Sequence, residues 1–179
     1  MPKPYYAVET FEPGKSIGFL VKRCGVLMTQ IAERHFESTS VSFTQWTALM
    51  RLCMQSGHMS ATQLSKELGY DMGALTRVVD ELERRGLVKR ERSRRDRRAV
   101  EIAITAAGRR QAESAKRMVV ALLNELVEPY SDAEIATLIG LMQRMLVRLQ
   151  DYAAAGAADP AAASPIPRPR RKSNSGAAA

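Results

Sequence analysis

The stretch that most constrains this chain is residues 60–105, SATQLSKELGYDMGALTRVVDELERRGLVKRERSRRDRRAVEIAIT. Ser60 and Gln63 fit a capping box, with serine at the N-cap and glutamine at the third helical position. Leu64 and Leu68 then share one helical face. Gly69 supplies a stop, because glycine accepts positive φ without a Cβ clash. Asp71 caps a second helix and favours its positive end. In that helix Leu75, Val78, Val79 and Leu82 recur at three- and four-residue spacing, with Thr76, Arg77, Asp80, Glu81 and Arg84 opposite. Gly86 closes it. Two apolar–polar alternating segments follow, Leu87 to Arg92 and Ala99 to Thr105, on either side of a basic connector.

A pair of short helices is ordinary in small α domains. The segment after it is not. Lys89, Arg90, Arg92, Arg94, Arg95, Arg97 and Arg98 are opposed only by Glu91 and Asp96, which leaves most of the chain's net +8 in ten residues. Concentrated charge of this kind binds polyanions by releasing their condensed counterions. Helix, turn, helix, hairpin is the order of a winged helix-turn-helix. Such a unit presents one helix to the major groove and a charged hairpin tip to the backbone or minor groove.

The rest of the chain reads as helices around this unit. Residues 1–15 form an arm without helical periodicity, in which Tyr5, Tyr6 and Phe11 either pack on a partner or fray. A helix is predicted from Ser16 to Glu37, with Ile17, Leu20, Val21, Cys24, Leu27, Met28, Ile31 and His35 on one stripe. A second starts near Thr44 and ends at Gln55-Ser56-Gly57, and His58-Met59 is a candidate short strand. Beyond the wing a long helix is predicted from Ala106 to Glu128, broken by Pro129. Ser131 and Glu134 make another capping box, and the last helix carries Ile135, Leu138, Ile139, Met142, Met145, Leu146 and Leu149 on one face. The expected fold is mainly α with a small β-hairpin wing. Its order is helix, helix, strand, helix, helix, strand, wing, strand, helix, helix. The expected domains are the arm, a helical dimerisation region at 16–43 and 106–152, a winged domain at 44–105, and a disordered basic Ala/Pro-rich tail at 153–179. The apolar stripes outside the winged unit call for a second copy of the chain to bury them.

Composition narrows the function. A pI near 9.9 favours a polyanionic partner. No long apolar run and no signal peptide are found, which predicts a cytoplasmic protein with no membrane partner. The sequence has no phosphate-binding glycine loop, nucleophile elbow or His-Glu metal motif, and no enzyme, cofactor or metal is expected. Cys24 and His35 share a helix face but are separated by about 16 Å of rise, too far for one zinc ion with bonds near 2 Å. Cys53 and His58 are only two ligands. Buried cysteine and satisfied histidine are the simpler readings.

The stretch from Leu75 to Thr105 also resembles the MarR family of bacterial transcriptional regulators. The resemblance spans roughly residues 16–150 and rests on Thr76-Arg77, the turn Glu83, Gly86, Leu87, Val88, the wing Asp96-Arg97-Arg98, and the closing Thr105 to Gly108. It implies a homodimer that binds a pseudo-palindromic double-stranded DNA operator, usually as a repressor. It places Ser60, Thr62, Asp71, Met72, Gly73, Thr76, Arg77 and Arg84 of the helix-turn-helix at the DNA. On the wing, Arg98 would enter the minor groove with Asp96 holding its shape. Arg94, Arg95 and Arg97 would add phosphate or minor-groove contacts. A small aromatic or phenolic effector would bind between the dimer helices and the winged lobe, near Cys24, Met28, Phe36, Trp46, Met50 and Arg51, residues that otherwise serve as core. Two alternatives stand beside this reading. One is a nonspecific or architectural nucleic-acid binder that uses the wing and tail. The other is a thiol- or metal-responsive regulator of the same family, although the position of the family's reactive cysteine falls near Gly18 here.

Overall fold

The computed structural model describes residues 4–93 and 100–158. The chain forms two compact units, Met1–Glu125 and Leu126–Ala179. The element order is α1 (Ile17–Phe36), α2 (Phe43–Met54), β1 (His58–Ser60), α3 (Ala61–Leu68), α4 (Met72–Arg84), β2 (Val88–Arg92), β3 (Val100–Ile104), α5 (Ala106–Val127) and α6 (Asp132–Ala158). This is the mainly helical winged arrangement predicted from the sequence. The three strands make one antiparallel sheet in the order β1-β3-β2. Register pairs His58 with Ala103 and Val88 with Ile104.

The core of the first unit is aliphatic. Leu49, Leu52, Leu64, Leu75, Leu82, Val41, Val79 and Val88 are fully buried, joined by Phe36 of α1 and by Ala112 and Ala115 of α5. The stripe predicted for α4 is the one buried, with Val78 half-buried at its edge. Burial of each such side chain removes about 1.5–3 kcal/mol of apolar exposure to water, which holds α4 against α2, α3 and the sheet.

Helix ends follow local chemistry. Ser60 and Gln63 form the expected capping box on α3, and Gly69 caps its end at φ +70°. The start of α2 lies one residue before Thr44. Ser42 and Gln45 make a second capping box there, and the Glu33 carboxylate of α1 accepts from the Phe43 and Thr44 amides at 3.1 Å each. One anion thus satisfies two of the donors that a helix start leaves open. The 1–15 arm holds two short 3-10 turns, Val8–Thr10 and Pro13–Lys15, and the Ile17 amide donates to the Tyr6 hydroxyl at 3.0 Å.

The stripe of α1 is not consumed by this core. Ile17, Leu20, Val21, Leu27 and Met28 remain 39–50% exposed; only Ala32 and Phe36 of α1 are buried. Leu123 of α5 is also exposed.

In the second unit α6 begins on the predicted Ser131–Glu134 box, in which Ser131 Oγ donates to Glu134 Oε2 at 2.7 Å and accepts from the Glu134 amide at 3.4 Å. Leu138, Ile139, Met142, Leu146 and Leu149 are exposed along it. The predicted boundary of the tail at Ala153 needs correction. The helix continues to Ala158, because alanine is the strongest intrinsic helix former and Pro160 is the first residue that cannot extend the ladder. Residues 159–179, with the basic tail cluster, lie outside the described residues. No described helix is long and apolar enough to cross a membrane.

Candidate nucleic-acid interface

The outward face of α4 is built by its cap and its buried stripe together. Asp71 Oδ1 accepts from the Ala74 amide at 2.9 Å, and that bond holds the Asp71 carboxyl below the usual aspartate range. Leu75, Val79 and Leu82 point into the core. The helical repeat therefore turns Met72, Gly73, Thr76 and Arg77 outward, and all four are exposed. The Thr76 hydroxyl is turned back to the Met72 carbonyl at 2.7 Å. At the start of α3, Ser60 is engaged in its cap, with Oγ accepting from the Gln63 amide at 3.2 Å, and Thr62 is exposed.

The predicted DNA-facing set is not uniform in its commitments. Arg77 is exposed in the second turn of α4, where its charge adds to the lowering of the Asp71 carboxyl. Arg84 grips Glu81 through two nitrogens, at 2.9 and 2.6 Å. That grip lowers the Glu81 carboxyl and raises the Arg84 guanidinium from their ordinary ranges. Arg94, Arg95, Asp96, Arg97 and Arg98 lie outside the described residues.

Two of the three described cations of the basic run are also engaged, and the third, Arg92, is exposed. Lys89 pairs with Glu91 at 2.7 Å, and His58 Nδ1 lies 3.0 Å from the same carboxylate. Arg90 of β2 reaches Asp80 and Glu83 of α4. The sequence puts Lys89 and Arg90 in the basic run, Asp80 on the outward face of α4 and Glu83 in the turn motif that ends it, with no pairing among them expected. The spacing of the carboxylates and the turn at Gly86 permit such a pairing without fixing it. Two carboxylates three residues apart, followed by a tight turn into a strand that carries arginine, can face one another across that turn.

The six residues predicted for an effector pocket fall into separate groups. Phe36 and Trp46 form an aromatic cluster with Phe43, ring centroids 5.5–5.8 Å apart. Trp46 Nε1 donates to the Ala112 carbonyl at 2.9 Å, which ties α2 to α5. Met50 is half-buried against the same core. Arg51 is paired with Glu67 of α3. Cys24 and Met28 sit on the exposed face of α1. A cleft of about 410 Å³ lies elsewhere, lined by Gln55, Ser56, His58, Met59, Gln63, Ser93 and Glu101. Among the described residues no cluster of three His, Cys, Asp or Glu side chains could hold a metal ion.

Comparison with known proteins agrees with the winged helix-turn-helix fold. Residues 39–99 match the family model described as MarR family. An uncharacterized HTH-type transcriptional regulator of Bacillus subtilis, YdgJ, is 31% identical over 97 residues, 54% of this chain; the chain spans 59% of that relative's length. Among solved structures, a mutant of MarR from E. coli complexed with operator DNA superposes with a TM-score of 0.63 at 26% identity, over 73% of this chain and 93% of that one. CouR from Rhodococcus jostii bound to p-coumaroyl-CoA gives 0.65 at 28% identity, over 76% and 95%.

Proposed function

We propose that this chain, a member of the MarR family through residues 39–99, works as a homodimeric transcriptional regulator, a repressor that binds a pseudo-palindromic operator. The observation that carries this reading is the exposed face Met72, Gly73, Thr76 and Arg77, set on a helix whose opposite face is locked in the core. Arg77 pairs bidentately with guanine O6 and N7 in the major groove. Ser60, Thr62 and the amides at the α3 start hold phosphates, which fix register without reading sequence. The wing residues Arg94, Arg95, Arg97 and Arg98, with Asp96, reach the flanking minor groove and backbone.

Two copies are needed because a two-fold operator presents half-sites about 34–36 Å apart. The exposed apolar side chains of α1, Leu20 and Met28 among them, supply surface for a partner. So do Leu138, Ile139 and Leu146 of α6. Release comes from a small aromatic ligand near the Phe36–Trp46 cluster and Met50, with Cys24, Met28 and Arg51 completing the pocket in the dimer. A ligand that prefers the DNA-free arrangement by about 1–3 kcal/mol lowers operator affinity 5- to 150-fold. Footprinting on the gene's own upstream region tests the reading. A protected inverted repeat supports it; uniform protection, equal to that on random DNA at matched salt, points to a nonspecific binder instead.

A further inference from the structure

Asp80 and Glu83 are an acidic pair on the helix proposed to enter the DNA, where bare carboxylates face a polyanion. The structure gives both to one residue. The guanidinium of Arg90, on β2, donates to Asp80 Oδ1 at 2.5 Å and to Glu83 Oε2. The Arg90 amide donates to Glu83 Oε1 at 2.8 Å. Glu83 therefore holds the backbone and the side chain of one strand residue at once. The cluster is open to solvent on its Asp80 side, whose side chain is 58% exposed, against 35% for Arg90. The third carboxylate of this part of α4, Glu81, has its own arginine in Arg84.

We propose that Arg90 is a positioning residue that acts through α4: it is the built-in counter-ion of Asp80 and Glu83, and it makes the recognition helix tolerable to phosphate without touching DNA itself. This inference rests on the DNA-binding reading above. Arg90 thus stands apart from the wing cations proposed to contact the backbone, although it lies within the same basic run. Arg90 serves better here than lysine would, because a planar fork with several donors can serve two carboxylates in fixed geometry.

The proposal makes operator affinity follow the net charge of the three side chains, which is −1 in the native trio. Arg90→Gln leaves −2. Asp80→Asn with Glu83→Gln leaves +1, and all three substitutions together leave zero. The expected order of affinity, measured by titrating the full chain into the footprinted operator at about 50 mM salt, is Asp80→Asn/Glu83→Gln, then the triple variant, then native, then Arg90→Gln. Steps are on the order of several-fold and shrink by about 200 mM salt, as screening requires. If Arg90 instead contacts phosphate, the triple variant binds more weakly than native, and the proposal is overturned. Native affinity in all variants overturns it as well. If Arg90→Gln does not fold, the Asp80→Asn/Glu83→Gln chain, which keeps the arginine, still decides: tighter binding with a steeper salt dependence supports the proposal, unchanged binding contradicts it. Absence of any footprint with the native chain would count against the DNA-binding reading, whereas a native footprint with an unordered variant series counts against this inference alone.

Discussion

A Cβ on Gly108 would lie 2.1 Å from the carbonyl oxygen of Leu87. The first turn of α5 is pressed that closely onto the root of the wing. Thr105 stitches the junction. Its amide donates to the Leu87 carbonyl at 3.0 Å, its hydroxyl donates to the Gly86 carbonyl at 2.7 Å, and the Gly108 amide donates back to that hydroxyl at 3.0 Å. Backbone cannot swing aside as a flexible side chain can, so Gly108→Ala forces α5 away from the wing. Overpacking of this kind costs about 1–3 kcal/mol. The denaturant midpoint should fall accordingly without change in slope; an unaltered midpoint would mean that the contact is not held in solution.

The Asp71 cap gives a pH dependence with a definite sign. The folded-state pKa is lowered, chiefly by the Ala74 amide. The cap's contribution is therefore complete above the unfolded value near 3.9 and is lost as pH falls through the lower folded value. Asp71→Asn keeps an acceptor but cannot titrate. Denaturation midpoints of native and Asp71→Asn chains at pH 7 and below pH 4 should show a smaller acid loss in the variant. Equal losses would show that the carboxylate does not cap α4.

The exposed stripe of α1 predicts a self-association surface. Leu20 is 48% exposed within the single chain, so Leu20→Asp should leave monomer folding nearly intact, because surface substitutions commonly change stability by no more than about 0.5 kcal/mol. A charge buried in a subunit interface is costly. Sedimentation should find the native chain dimeric and the variant shifted towards monomer, with circular dichroism unchanged. A variant that sediments like the native chain would place the partner surface elsewhere.

Much of the fold was legible because local signals agreed with one another. The Ser60–Gln63 box, Gly69, Asp71 and the Leu75/Val79/Leu82 stripe each marked one boundary or face, and the structure uses all of them. Ser42–Gln45 is the same kind of signal, and it starts α2 at Phe43, one residue before Thr44. The α6 end lies beyond its expected place because the alanines that share a stretch with proline and serine propagate a helix on their own. Within the candidate site, which charges were exposed could be guessed; which were paired could not. The Arg90 bridge to Asp80 and Glu83 depends on how β2 returns past α4, a tertiary matter that one-dimensional charge counting does not contain. Cys24 and Phe36, both expected to line an effector pocket, lie on one helix, yet one is exposed and the other buried.

The central claim is that Arg77, carried on α4 of a dimer, reads sequence rather than charge alone. Competition binding at matched salt, native chain against Arg77→Ala, on the protected repeat and on a scrambled duplex, tests it most directly. The account expects the native chain to prefer the repeat by at least about 10³-fold. Arg77→Ala should lose about 1–3 kcal/mol of that preference per contacted base while scrambled-duplex binding changes far less. Equal native affinity for the two duplexes, or equal loss on both in the variant, would contradict it.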